Sequence, residues 1–403
     1  MLTKRYLYCL IPLSFIFLQC KPSQSVLDKV MSSSNPSIKR VRQQLKKHEV
    51  QIVLTEINTE QPTAPQLLRS SFQLDEEHYF YPASTTKLPI AALTLQKLNE
   101  LNTQGIPIKP TTAFEIRDLQ GKAIQLTDTT QREGKLTLAH LIKKIFLVSD
   151  NEAYNYLFDF LGRDYINQEL EKKGLKKTQI FHKFLFGADN IRTWEYTFFD
   201  EFGDTLYQQN SLKSKFNAEN KLSGVFKGEG FLQDGEVVKA PMDFRFKNRI
   251  SLLDLEGILM RLIYPQLFTI DQQFTLNDKD LEFLRFWMSR STLESSSPNY
   301  DDGDHWDSYG KFFIYGDQKG KMTDQIRIYN KVGYAYGTLT DVAYIHDKSN
   351  NLSFFLTATI LVNENKIFND DQYEFDSIGI PFLATLGRLV LRELQHKQES
   401  VVE

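Results

Sequence analysis

The sequence predicts an α/β chain of the α+β type, an antiparallel sheet flanked by helices. Two observations carry this expectation. Extended, β-rich runs lie close together near the C-terminus, at Gln325–Val332, Tyr336–His346 and Leu352–Val362, with one more at Val50–Ile57. Apolar residues at helical spacing precede and follow them, and adjacent strands with helices at either end make an antiparallel sheet covered by helices. With 403 residues and 41% hydrophobic content, the chain has the material for a substantial core.

The first twenty residues read as a targeting segment. Lys4 and Arg5 supply a positive start and Tyr6 to Leu18 an apolar stretch of signal-peptide length. Phe17-Leu18-Gln19-Cys20 resembles a bacterial lipoprotein lipobox, with Leu18 and Gln19 where small residues are usual. Lipidation at Cys20 and an extracytoplasmic, membrane-anchored location are therefore expected, with an ordinary cleaved secretory signal as the alternative. Both cysteines, Cys9 and Cys20, fall in this segment. The mature body is thus expected to have no disulfide, thiol nucleophile or cysteine metal site. Residues 21–48 read as a Ser-rich tether followed by a basic helical patch at Ile38–His48. Loss of Lys4 and Arg5 moves the formal charge from −3 to −5, and with no basic block nothing points to nucleic acid.

Within 49–396, Val50–Ile57 alternates and reads as a strand, and a second extended run reaches Tyr81. Leu88, Ala91, Ala92, Leu95 and Leu98 recur at helical spacing to Leu101. Pro107–Lys135 reads as loop. Leu136–Leu147 reads as a helix capped by Thr137, and a short polar junction leads into a further helical pattern. Arg163–Asp200 is expected to hold a helix and an aromatic-rich segment. Residues 204–242, polar and Gly-punctuated, read as an inserted β-hairpin region, with turn signals at Gly228-Glu229-Gly230 and Asp234-Gly235. Helices follow at Asn248–Leu262, Asp278–Met288 and Pro381–His396, and Ser295–Asp307 reads as an acidic loop.

Three constellations carry chemistry. In Tyr81-Pro82-Ala83-Ser84-Thr85-Thr86-Lys87, Ser84 and Lys87 are three residues apart where a helix begins, so both lie on one face of a turn. A partly desolvated lysine with a lowered pKa can take the serine proton. Alone, the pair reads equally as a cap beside a solvated lysine. Ser149-Asp150-Asn151 lies between two helical patterns, and Lys331-Val332-Gly333 on the first C-terminal strand.

In this order the three resemble the Ser-x-x-Lys, Ser-Asp-Asn and Lys-(Thr/Ser)-Gly set of class A β-lactamases and penicillin-binding proteins. The flanks resemble that family too, through Leu136-Thr137-Leu138, Glu152-Ala153-Tyr154-Asn155 and Tyr334-Ala335-Tyr336-Gly337-Thr338. The resemblance implies a β-lactamase/transpeptidase-like fold, the sheet joined by an all-helical subdomain. It also implies a serine hydrolase acting through an acyl-serine, most directly on β-lactams. A D-alanyl peptidase or an esterase is the alternative, and a non-catalytic cell-envelope binding protein of the same fold a third.

In the roles so implied, Ser84 attacks, Lys87 accepts its proton and Ser149 passes a proton to the leaving nitrogen. Asn151 orients Lys87 and the substrate amide, and Lys331 supplies positive charge. The backbone N–H groups of Ser84 and Tyr334 form an oxyanion hole, with Gly333 and Val332 beside the substrate. No metal or cofactor is implied. Two departures stand out. Val332 replaces the hydroxyl residue that helps hold a substrate carboxylate, at a cost of roughly 1–2 kcal/mol. For the deacylating glutamate the nearest candidate is Glu195 in Arg192-Thr193-Trp194-Glu195, which stands several residues late and lacks the downstream Leu-Asn. The expected partner is a small-molecule β-lactam or peptidoglycan-like substrate, met by a monomer. The seven histidines show no motif spacing.

Overall fold

A central antiparallel sheet runs in the order Ile326–Ala335, Thr338–Asp347, Leu352–Leu361, Gln51–Asn58 and Gln66–Phe72. The computed structural model describes residues 24–58, 65–124, 128, 130, 136–185, 187–300 and 303–402. Cys20 and the targeting segment lie outside these residues.

The chain opens with α1 (Val26–Met31), α2 (Pro36–Arg42) and α3 (Leu45–His48). The expected tether differs here. Val26, Leu27, Val30 and Met31 are buried in the same apolar cluster as the C-terminal helix, so α1 is docked. Next come β1 (Gln51–Asn58) and β2 (Gln66–Phe72), then a 3-10 turn at Ala83–Thr86 that runs into α4 (Lys87–Thr103). The segment read as loop contains β3 (Phe114–Arg117). After α5 (Leu138–Val148), α6 (Asn151–Leu161) and α7 (Arg163–Lys172) come β4 (Glu195–Phe199) and β5 (Thr205–Gln209). Strands β3, β4 and β5 form a small sheet in that order.

The 204–242 region continues with β6 (Phe226–Lys227), β7 (Gly230–Gln233), β8 (Glu236–Val238) and β9 (Met242–Asp243). Asp234 and Gly235 both have positive φ between β7 and β8, as a tight two-residue hairpin requires. Helices α8 (Leu252–Ile263) and α9 (Asp278–Ser289) follow. The Ser251 hydroxyl caps α8 by accepting from the Asp254 N–H. Then come β10 (Ile326–Ala335), β11 (Thr338–Asp347), β12 (Leu352–Leu361), the short β13 (Ile367–Phe368) and α10 (Ile380–Val402).

Both faces of the sheet are covered. On one side, α1, α2 and α10 pack against Ile52, Leu54, Ile328, Val332 and Leu356. On the other, α8 and the helical layer of α4, α5 and α6 pack against Val342 and Phe355. This explains why Ile52, Val53 and Leu54 are all buried in a strand whose sequence alternates. Strand β10 is left as an edge, and it lies against the 3-10 turn that carries Ser84.

Candidate active site

Ser84 owes its position to a rigid turn. The Thr85 hydroxyl donates to Pro82 O at 2.6 Å and the Thr86 hydroxyl to Ala83 O at 3.0 Å. Ala83, just before the serine, has φ +45°, a left-handed conformation that costs a non-glycine residue about 1–3 kcal/mol and persists only when its surroundings hold it. The edge strand comes very close. A Cβ on Gly333 would lie 2.6 Å from Pro82 O and 2.8 Å from Ser84 N, so only glycine lets β10 reach the turn.

Lys87, on the first turn of α4, is fully buried. Its Nζ lies 2.9 Å from Ser84 Oγ and donates to Asn151 Oδ1 at 2.6 Å and to the carbonyl oxygen of Ser149, with Ser149 Oγ at 3.3 Å. Burial, reinforced by the nearby Lys331, holds its pKa well below the usual lysine range, and Asp150 only partly opposes this. None of its hydrogen-bond partners among the described residues is a carboxylate. Instead the Phe184 ring stands 5.1 Å from Nζ and the Tyr154 ring 6.0 Å.

The Ser149-Asp150-Asn151 junction turns between α5 and α6. Ser149 has φ +57° and ends α5, with its N–H on Lys144 O. Asp150 caps α6 by accepting from the Ala153 N–H at 2.7 Å, which delivers Asn151 to the site. Lys144 pins the junction from behind, 3.1 Å from Asp150 and 3.0 Å from Asp128, and Asp128 in turn lies 2.9 Å from His140.

From the opposite wall, Lys331 Nζ donates to Ser149 Oγ at 2.8 Å and to Val332 O at 2.8 Å. Burial pushes Lys331 down to about 7; Asp341 opposes the shift and Lys311 adds to it. Beneath β10, Lys311 donates to Ile328 O and Asn330 Oδ1, and Asn330 donates to Asp341.

Ser84, Lys87, Ser149, Asn151, Lys331 and Gly333 thus converge. Two candidate side chains do not. Val332 points the other way from Lys331, as strand alternation requires, and is only 4% exposed in the cluster under α10. Glu195 opens β4 opposite Arg117 and bonds none of Ser84, Lys87, Ser149 or Lys331. Sequence reasoning missed Phe184, which is held through its N–H on Asn155 Oδ1 at 2.7 Å. Asn155 lies four residues after Asn151 and shares its helix face, which was the available signal.

The profile of the Beta-lactamase enzyme family matches residues 36–218. Among solved structures, a β-lactamase from Xanthomonas campestris pv. campestris superposes with a TM-score of 0.50 at 15% identity, covering 91% of this chain and 98% of its own. A class A β-lactamase from Mycobacterium abscessus gives 0.48 at 14% identity, covering 89% and 99%. No curated protein matches the sequence. The family match spans the first two of the three motifs and bears out the resemblance there, and the Xanthomonas superposition bears out the expected fold.

Proposed function

We propose that this β-lactamase-like chain is a serine hydrolase that cleaves amide or ester bonds, β-lactams foremost, through an acyl-enzyme on Ser84. One observation carries the reading: a buried lysine, held toward its neutral form, lies 2.9 Å from the serine hydroxyl. Neutral Lys87 takes the Ser84 proton as Oγ bonds the substrate carbonyl carbon. The oxyanion is stabilised by the backbone N–H groups of Ser84 and Tyr334, each worth about 3–4 kcal/mol of barrier. As the C–N bond breaks, the Ser149 hydroxyl protonates the leaving nitrogen, and it is resupplied through Lys87 or Lys331, both within hydrogen-bonding reach of Oγ. Positive charge on Lys331 disfavours protonation of Lys87.

Hydrolysis of the acyl-enzyme needs a base for water. With Phe184 over Lys87 and Glu195 elsewhere, that work falls to Lys87 itself. Acylation therefore outpaces deacylation, the balance of a penicillin-binding peptidase or a slow β-lactamase. A D-alanyl peptidase or an esterase is the second reading; of these the esterase is favoured by Val332, which offers a substrate carboxylate no hydroxyl. We also propose that the chain is exported and lipid-anchored at Cys20, acting as a monomer on the cell envelope. Among the described residues no helix is long and apolar enough to cross a membrane. Incorporation of a palmitate analogue, lost in Cys20→Ser, tests the anchor.

The activity is tested by mixing the mature domain with a chromogenic cephalosporin and a fluorescent penicillin, beside Ser84→Ala. Turnover lost in the variant supports a β-lactamase. A stable Ser84-dependent adduct supports a slow-deacylating peptidase. Failure of both, with no labelling by a general acyl-serine reagent, overturns the enzymatic reading.

A further inference from the structure

Beyond the nucleophile the site continues as an aromatic wall. Ala335 shares the Lys331 and Gly333 face of β10 by strand alternation, and it packs in one cluster with Ala83, Tyr81 and Tyr336. Tyr336 therefore stands on the Ser84 side of the strand, three residues or about 10 Å beyond Gly333. Its ring meets Tyr81 at 5.1 Å and Phe244 at 5.5 Å. Tyr81 in turn stacks on His182 at 6.2 Å, and His182 meets Phe184, the ring over Lys87, at 5.8 Å. Phe184, His182 and Tyr336 are half-buried, as Ser84 is, so each leaves part of its surface accessible.

Lys247 belongs to this wall. Its Nζ lies 5.8 Å from the centre of the Tyr336 ring, and its charge reaches His182. The next residue, Asn248, accepts from the Phe181 and His182 N–H groups, which fixes the backbone here. Other lysines around the site are held by protein acceptors: Lys87 by Asn151, Lys331 by Ser149, Lys183 by Asp159 and Lys227 by Glu49. Lys247 differs. Among the described residues its Nζ has no hydrogen-bond acceptor and no carboxylate within ion-pairing distance, and burial alone holds its pKa below the usual lysine range. His182, pushed down to about 4 by burial, adds no charge at neutral pH. A half-buried ammonium that has lost water and gained no acceptor is a ready partner for an anion.

We infer that Lys247 binds a carboxylate at the far end of the substrate's acyl arm, an inference that rests on the proposed acyl-enzyme. The direction follows from the order of groups along β10. Ser149, which protonates the leaving nitrogen, lies beside Lys331, and the wall runs the other way, past Gly333 to Tyr336. The arm that follows it therefore hangs from the scissile carbonyl. Amides and esters whose acyl half ends in an acid are the class that fits.

The test compares a penicillin bearing a 5-carboxypentanoyl side chain with the same penicillin whose terminal carboxylate is a carboxamide. The two present one scissile β-lactam and differ only in the charge at the tip of the arm. The readout is the second-order rate of Ser84 acylation, followed by intact mass. The acid is expected to acylate about tenfold faster, the worth of a hydrogen bond to a charged group. Lys247→Met and Lys247→Gln bring the ratio towards one by slowing the acid alone, and Lys247→Arg keeps the preference. Equal rates on the unaltered protein, a faster carboxamide, or a preference that survives both neutral variants overturns this inference and leaves acylation in place. No adduct from either penicillin also overturns it; where an alkyl fluorophosphonate leaves Ser84 unlabelled too, the acyl-enzyme falls with it.

Discussion

Lys331 Nζ lies 2.8 Å from Ser149 Oγ, joining an edge strand to a helix junction 182 residues earlier in the chain. Ser149 Oγ also lies 3.3 Å from Lys87 Nζ. On the proposed mechanism Ser149 relays a proton, resupplied by Lys331 or by Lys87 once it has taken the Ser84 proton. Ser149→Ala should therefore lower acylation by about 10²–10⁴-fold, the usual worth of a positioned acid. Amides should suffer more than activated esters, whose leaving groups need no proton. Rates on a matched amide and ester measure the difference.

Replacing Lys331 should separate stability from activity. Its folded pKa, about 7, lies below the ordinary lysine value of 10.5. The folded state therefore binds fewer protons than the unfolded state between those values, and stability rises with pH across that window. Lys331→Met removes the buried charge and should leave the protein as stable or about 1–4 kcal/mol more stable at pH 7. That gain should shrink as pH approaches 10.5, while activity is lost. Urea titrations at pH 7 and pH 10 measure both parts.

The same titration should shape the pH–rate profile. Loss of the Lys331 proton near pH 7 removes the charge that adds to burial in holding Lys87 toward its neutral form. The kcat/KM profile should accordingly carry a limb near that pH which disappears in Lys331→Met.

Gly333 has no room for a side chain. Gly333→Ala forces its Cβ toward Pro82 O and Ser84 N, so strand and turn must part. A shift approaching 1 Å at a reacting centre costs about 10²-fold in rate. Acylation kinetics, with circular dichroism to confirm the retained fold, check this.

Asp159 and Lys183 form a buried ion pair at 2.9 Å in the segment that brings Phe184 to Lys87. Burial raises Asp159 to about 7 even beside its partner. Lys183→Met should cost about 3–5 kcal/mol by leaving a buried acid unpaired, and Asp159→Leu in the same chain should recover most of that. Thermal unfolding of the single and double variants measures the recovery.

Much of this site was legible because its chemistry is local. Ser84 and Lys87 share one helical turn, Ser149 and Asn151 one junction, and Lys331 and Gly333 one strand. The three-strand C-terminal ladder was equally readable from its β-rich runs. What stayed hidden depends on distant partners. Helix α1 lies in a Ser-rich stretch that looks like a tether and is ordered by α10 and the sheet. Strands β3 and β4 are short and form a small sheet with β5, apart from the central one. Phe184 reaches Lys87 through Asn155, and nothing in its own neighbourhood announces that contact. Val332 was placed beside the substrate because its motif position suggests it, yet alternation on β10 turns it into the core.

On the proposed mechanism Ser84 becomes acylated with Lys87 as its base. Peptide-level mass spectrometry after saturating penicillin tests it most directly, on the unaltered protein and on Ser84→Ala and Lys87→Met. A whole-penicillin adduct is expected on the peptide containing Ser84. It should be absent in Ser84→Ala and about 10²–10⁴-fold slower to form in Lys87→Met. An adduct on another residue, or one that forms undiminished without Lys87, would contradict it.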